Sequence, residues 1–154
     1  MNCDKPALVD DEDYERVANE DWWVNHGGYV SRREHQNGQR VTILLHRFIL
    51  GVTDGRKVDH KNNNKLDNQK LNLRPCTQRL NSRNRLLNAN NTSGFKGVVL
   101  HKKTGKWSAK IRVNRAYVWL GLYKTPSEAG AAYDRAAERY YGDFAKTNQE
   151  LRAA

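Results

Sequence analysis

The stretch GFKGVVLHKKTGKWSAKIRVNRAYVWLGLYKT, residues 94–125, decides the fold of the C-terminal half. Trp107, Ala109, Ile111 and Val113 fall on one side of an extended segment and Ser108, Lys110 and Arg112 on the other. That period-two alternation is what a strand with one buried face requires. In the following strand Val118 and Leu120 continue the apolar side while Tyr117 and Trp119 fall opposite. A three-stranded antiparallel sheet is therefore expected, with Lys110, Arg112, Tyr117 and Trp119 displayed together. Thr125, Pro126 and Glu128 then open a helix, because a capping hydroxyl, a proline at the first helical position and a glutamate three residues after the cap satisfy a helix start. Ala129, Ala132, Tyr133, Ala136, Ala137 and Tyr140 recur at helical spacing, a stripe of mostly small residues that can lie close against the sheet, and Gly142 suits the stop.

Working upstream, LLNANNTSG at 86–94 is polar and turn-rich, which marks a linker or hinge. Before it, VDHKNNNKLDNQKLNLRPCTQRLNSRNR at 58–85 places the Asp59 carboxylate beside the His60 imidazole, with Asn72 and Asn81 downstream. A hard cation such as Mg²⁺ takes oxygen ligands, which Asp59 and the Asn81 amide can supply, and an imidazole can accept a proton from water near neutral pH. A phosphodiester substrate is the expectation. Lys57 to His60 reads as a short strand, the Asn-rich stretch to Gln69 as a loop, and Leu73 to Cys76 as a returning strand that Pro75 confines to an edge. Thr77 is placed to cap a helix running to about Leu87, which makes a β-β-α arrangement. Further back, Tyr29 to Glu34 and Arg40 to Leu45 form strands around an Asn-Gly turn, and HRFILG forms a helical turn. Asp10 is expected to cap a helix in DEDYERVAN, with Asp13 at the capping-box position. His46, after the apolar run ILL, reads as a packed histidine and stays outside the catalytic set.

The charge is one-sided. The chain holds 27 Lys and Arg against 17 Asp and Glu, a formal +10. Residues 1–24 carry eight acids and two bases, a net of −6, which leaves +16 for the rest. From Asn68 through Ser127 there is no acidic residue and thirteen bases, interleaved with Trp107, Tyr117 and Trp119. Such a stretch favours a polyanion, whose phosphates supply sequence-independent affinity. Cys3 and Cys76 make neither a disulfide framework nor a CxxC metal pair, so an intracellular, reducing setting is expected. No secretory signal or membrane span is read, and a soluble monomer is the default. At 154 residues the chain divides into two small domains, 1–88 and 89–154, in an α+β class.

Two resemblances follow from these residues. DH at 59 and 60, LDNQKLNLR ending at Arg74 and RLNSRN around Asn81, preceded by LLHRFILG, resemble the HNH motif of the ββα-metal nucleases in the Asn-for-last-His form of phage and intron-encoded homing endonucleases. The resemblance implies a metal-dependent DNA endonuclease leaving 5′-phosphate and 3′-hydroxyl ends. In it Asp59 and Asn81 hold one Mg²⁺ or Mn²⁺, His60 is the general base and Asn72 orients the motif loop, with Asn84 an alternative ligand to Asn81. KGV at 96–98, KWSAKIR at 106–112, WLGLYKTPSEAGAAYDRAA at 119–137 and the trailing Gly142, Ala145 and Asn148 resemble the APETALA2-type (ethylene-response-factor) DNA-binding domain. That resemblance implies a sheet face entering the major groove of double-stranded DNA, with Lys96, His101, Lys110, Arg112, Tyr117 and Trp119 at the contact positions. Val99 and Tyr117 stand where the plant factors usually carry arginine, so their sequence preference does not transfer. The alternatives are a non-cutting DNA-binding regulator built on a decayed nuclease core, and an RNA-binding protein, since a basic aromatic sheet can also stack unpaired bases.

Overall fold

A computed structural model describes residues 6–153, so Cys3 lies outside the described residues. The class is mixed α+β, with antiparallel sheets throughout. The chain separates into two compact units, 1–81 and 82–154, so the boundary falls ahead of the polar 86–94 stretch.

In the first unit, helix α1 (Asp11–Ala18) is followed by strands β1 (Trp23–Val24), β2 (Val30–Gln36) and β3 (Gln39–Leu44), helix α2 (Leu45–Leu50), strands β4 (Lys57–His60) and β5 (Leu73–Cys76), and the single-turn helix α3 (Gln78–Asn81). β2 and β3 close through Asn37 and Gly38, both at positive φ, as a tight Asn-Gly hairpin demands. β1 joins this hairpin as a third strand too short to be seen in the sequence. Val17, Trp22, Val30, Leu45, Ile49, Val52, Val58 and Leu73 form the core.

Two local expectations are corrected. Asp10 does not cap α1 with its side chain; its Oδ2 instead accepts from the Lys70 backbone N–H at 2.7 Å, and Asp13 is buried as the partner of the Arg16 guanidinium at 2.7 Å. The helix expected from Thr77 to about Leu87 ends at Asn81. Asn81, Ser82 and Asn84 are weak helix formers, and Arg79 and Arg83 would sit as like charges four residues apart. Arg83 turns away to lie over the Tyr141 ring at 4.3 Å.

In the second unit, β6 (Val98–His101), β7 (Lys106–Val113) and β8 (Ala116–Tyr123) form a sheet in that order, followed by α4 (Pro126–Tyr141) and α5 (Asn148–Ala153). The Thr125 hydroxyl accepts from the Glu128 N–H at 3.2 Å while the Glu128 carboxylate accepts from the Thr125 N–H at 3.2 Å, a reciprocal cap. Ala129, Ala132, Ala136 and Ala137 sit buried against Phe95, Val98, Ala109 and Ile111. Two glycines make this close approach possible. A Cβ on Gly97 (φ +75°) would stand 2.1 Å from the Tyr133 ring, and one on Gly130 would stand 2.4 Å from Phe95. Asn148 closes the unit: its Oδ1 accepts from the Lys96 backbone N–H at 2.5 Å and its Nδ2 donates to Asp134 Oδ1 at 2.8 Å.

Candidate nucleic-acid interface

Because α4 covers one side of the β6–β7–β8 sheet, the other side faces outward. Cross-strand register builds that outward face row by row. Arg112 pairs with Tyr117 and Lys110 with Trp119. All four side chains are exposed, Tyr117 at 65 % and Trp119 at 57 %, an unusual condition for large aromatics on a sheet that already has a packed side. The Lys110 ammonium stands 4.9 Å and the Arg112 guanidinium 5.9 Å from the Tyr117 ring centre, so one aromatic face holds two cations in place on the surface.

A bulge then changes what the face carries. Ala109 pairs with Gly121 but Lys110 with Trp119, so Leu120 is an extra residue on β8. Gly121 takes φ +127°, a conformation that side chains resist. The bulge reverses the alternation beyond it and turns Leu122 outward into register with Ser108, which pairs in turn with Val99. Strict alternation would have hidden Leu122; the Leu-Gly-Leu sequence was the available sign. His101 lies at the end of β6, its Nδ1 2.9 Å from the Thr104 hydroxyl, and pairs with Lys106.

Lys96 is placed differently. Its ammonium donates to the backbone carbonyls of Arg83 at 2.7 Å and Arg85 at 2.8 Å, so it anchors the segment before the sheet and is not displayed with the outward row. Burial, with Lys146 nearby, brings its pKa down to about 8.

The residues read as a metal site lie in the first unit. Asp59 and Arg74 are cross-strand partners, and the guanidinium grips Asp59 Oδ2 from Nε at 2.9 Å and from a terminal nitrogen at 2.7 Å. His60 is buried, with Nε2 3.3 Å from Asn68 Oδ1, and its ring meets the His46 ring edge-on at 5.0 Å. Burial lowers the His60 pKa and takes that of His46 down to about 3. Asn72 ties the motif loop together, accepting from the Asn62 N–H at 3.0 Å and donating to the Asp67 carbonyl at 2.7 Å. Asn81 ends α3, its N–H donating to the Thr77 carbonyl at 3.0 Å, while Asn84 falls in the second unit. Among the described residues no group of three or more His, Cys, Asp or Glu side chains converges as a metal site. The Arg74 guanidinium thus occupies Asp59 Oδ2, one of the oxygens that a hard cation would take. Among the described residues no helix is long and apolar enough to cross a membrane.

Residues 93–143 match the AP2 domain family model. Curated relatives align over the same region. The rice (Oryza sativa subsp. indica) APETALA2-like protein 2 is 47 % identical over 64 residues, covering 40 % of this chain and 14 % of its own length. The Arabidopsis thaliana ethylene-responsive transcription factor ERF084 is 49 % identical over 59 residues, covering 37 % and 23 %. The Medicago truncatula ethylene-responsive transcription factor ERN1 is 34 % identical over 85 residues, covering 54 % and 31 %. This chain thus spans less than a third of each of these relatives. A structure titled as DNA binding and cleavage by the HNH homing endonuclease I-HmuI is similar at a TM-score of 0.40 and 19 % identity, covering 79 % of this chain and 75 % of its own, a likeness too low to carry an argument. The Arabidopsis and Medicago relatives are named as transcription factors and not as enzymes, which corrects the expectation of an HNH-type endonuclease. The stretch that matches the AP2 domain family model lies within the second unit of this chain.

Proposed function

We propose that this protein is a DNA-binding regulator that seats the outward face of its second unit in the major groove of double-stranded DNA. The observation that carries this reading is the in-register ladder of Lys110 with Trp119 and Arg112 with Tyr117, exposed on the side of the sheet that α4 leaves open. A B-form major groove is about 12 Å wide, enough for strands spaced about 4.8 Å apart to enter it. The cations meet phosphates along the groove walls, and the aromatic rings lie against sugars and base edges. The charge agrees with this. Residues 82–154 hold fourteen bases and five acids, a net of +9, against +1 for residues 1–81.

The AP2 relatives favour duplex DNA over RNA, since two of them are named as transcription factors. The test is a competition titration of the full chain bound to labelled duplex DNA, with unlabelled duplex and single-stranded RNA of equal length as competitors. Duplex DNA should displace the label at a concentration at least tenfold lower. Equal or better displacement by the RNA overturns the proposal.

A further inference from the structure

Val99, Ser108 and Leu122 form one row across the three strands, Val99 paired with Ser108 and Ser108 with Leu122. Both aliphatic members are exposed, Val99 at 50 % and Leu122 at 38 %, and neither belongs to the clusters that pack α4 on the sheet. The row adjoins the Lys110–Trp119 pair, so an apolar strip borders a basic one on the same face. The bulge at Leu120 and Gly121 turns Leu122 away from the helix side and onto this face.

Resting on the DNA-binding reading, we propose that the Val99–Ser108–Leu122 row recognises the 5-methyl group of a pyrimidine in the major groove. The chemistry follows from what an aliphatic side chain can do there. It offers no hydrogen bond, so against guanine N7 and O6 or the cytosine amino group it would remove water from polar atoms without replacing it. Against a 5-methyl group it buries apolar surface on both sides. Ser108 between them is buried, at 8 % exposure, so the methyl meets the exposed Val99 and Leu122 side chains. Lys110 and Arg112 alongside supply the positive charge that holds a duplex against this strip. Thymine and 5-methylcytosine both present the group.

The test uses the full chain. A preferred duplex is selected from a random pool, and its dissociation constant is compared with those of copies in which single thymines are replaced by deoxyuridine, which lacks only the methyl. At one or two positions affinity should fall about fourfold per methyl removed. The double variant Val99→Ser, Leu122→Ser, altered only at exposed positions, should bind the thymine and deoxyuridine duplexes equally. A further arm places cytosine or 5-methylcytosine at those positions. A gain with the methylated base assigns recognition to the methyl on either pyrimidine, and a gain confined to thymine assigns it to thymine alone. Affinity unchanged by every deoxyuridine substitution together with no gain from 5-methylcytosine overturns the proposal, as does discrimination that survives in the double variant. Failure to bind any duplex overturns the underlying DNA-binding reading as well, so the two failures are distinct.

Discussion

Replacing Lys110 and Arg112 together by alanine should change how binding responds to salt more than it changes the fold. Both side chains are exposed and both stand over the Tyr117 ring, so removing them opens no cavity. If each neutralises one phosphate, the slope of log affinity against log salt becomes shallower by about 0.9 per residue, or about 1.8 for the pair. Between 50 and 200 mM salt, a fourfold change, the affinity advantage of the unaltered protein should then shrink about twelvefold. Fluorescence anisotropy of a labelled duplex titrated at several salt concentrations measures this directly. The control is Arg135→Ala with Arg139→Ala, two exposed residues on α4, which packs against the opposite side of the sheet. A control slope that falls as much as that of the sheet variant, with thermal midpoints unchanged, would refute the assignment of phosphate contacts to the outward face.

Other expectations concern single residues. Trp119→Ala should weaken duplex binding by about 1–2 kcal/mol in the same anisotropy assay, through lost apolar contact, while Trp119→Phe should lose less than half of that. Gly97→Ala should destabilise the second unit by about 3 kcal/mol or more in urea unfolding, because a strained φ and a clash with Tyr133 add together; a loss under 1 kcal/mol would contradict the packing described. His46, 4 % exposed, stays neutral when folded because burial first, then His60 and Arg47, hold its pKa near 3, whereas the unfolded chain takes up a proton near 6.5. The stabilisation is therefore complete above pH 6.5 and is lost as pH falls toward 3. It should cost the first unit on the order of 1 kcal/mol between pH 7 and 5.5, a slope that His46→Leu should flatten in urea titrations at the two pH values.

The parts of this fold that local chemistry dictates were legible in the sequence. Thr125, Pro126 and Glu128 announce α4 because a cap is written within four residues, and Asn37-Gly38 announces its hairpin because the turn needs positive φ. The alternation from Trp107 to Val113 placed Lys110 and Arg112 on the outward face. What escaped depends on partners distant in sequence. Asp10 looked like a cap but bonds to the Lys70 backbone sixty residues away. Lys96 stood at a DNA-contact position of the family resemblance, yet its ammonium is spent on the carbonyls of Arg83 and Arg85. Asp59 looked like an open metal ligand, and the β4–β5 register sets Arg74 against it. Leu122 was hidden by a single extra residue, since one bulge inverts every side chain beyond it.

The bond from the Lys96 N–H to Asn148 brings the two ends of the sheet-and-helix unit to one point, and it lies past residue 143, where the AP2 match stops. A fragment cut at that border would lose the clasp and leave Asp134 without the Asn148 and Gln149 N–H groups that it accepts from. Kept whole through Gln149, the unit enters and leaves at neighbouring positions. It can therefore be spliced into an exposed loop of an unrelated host with little stretching of either chain, as a transplantable cassette.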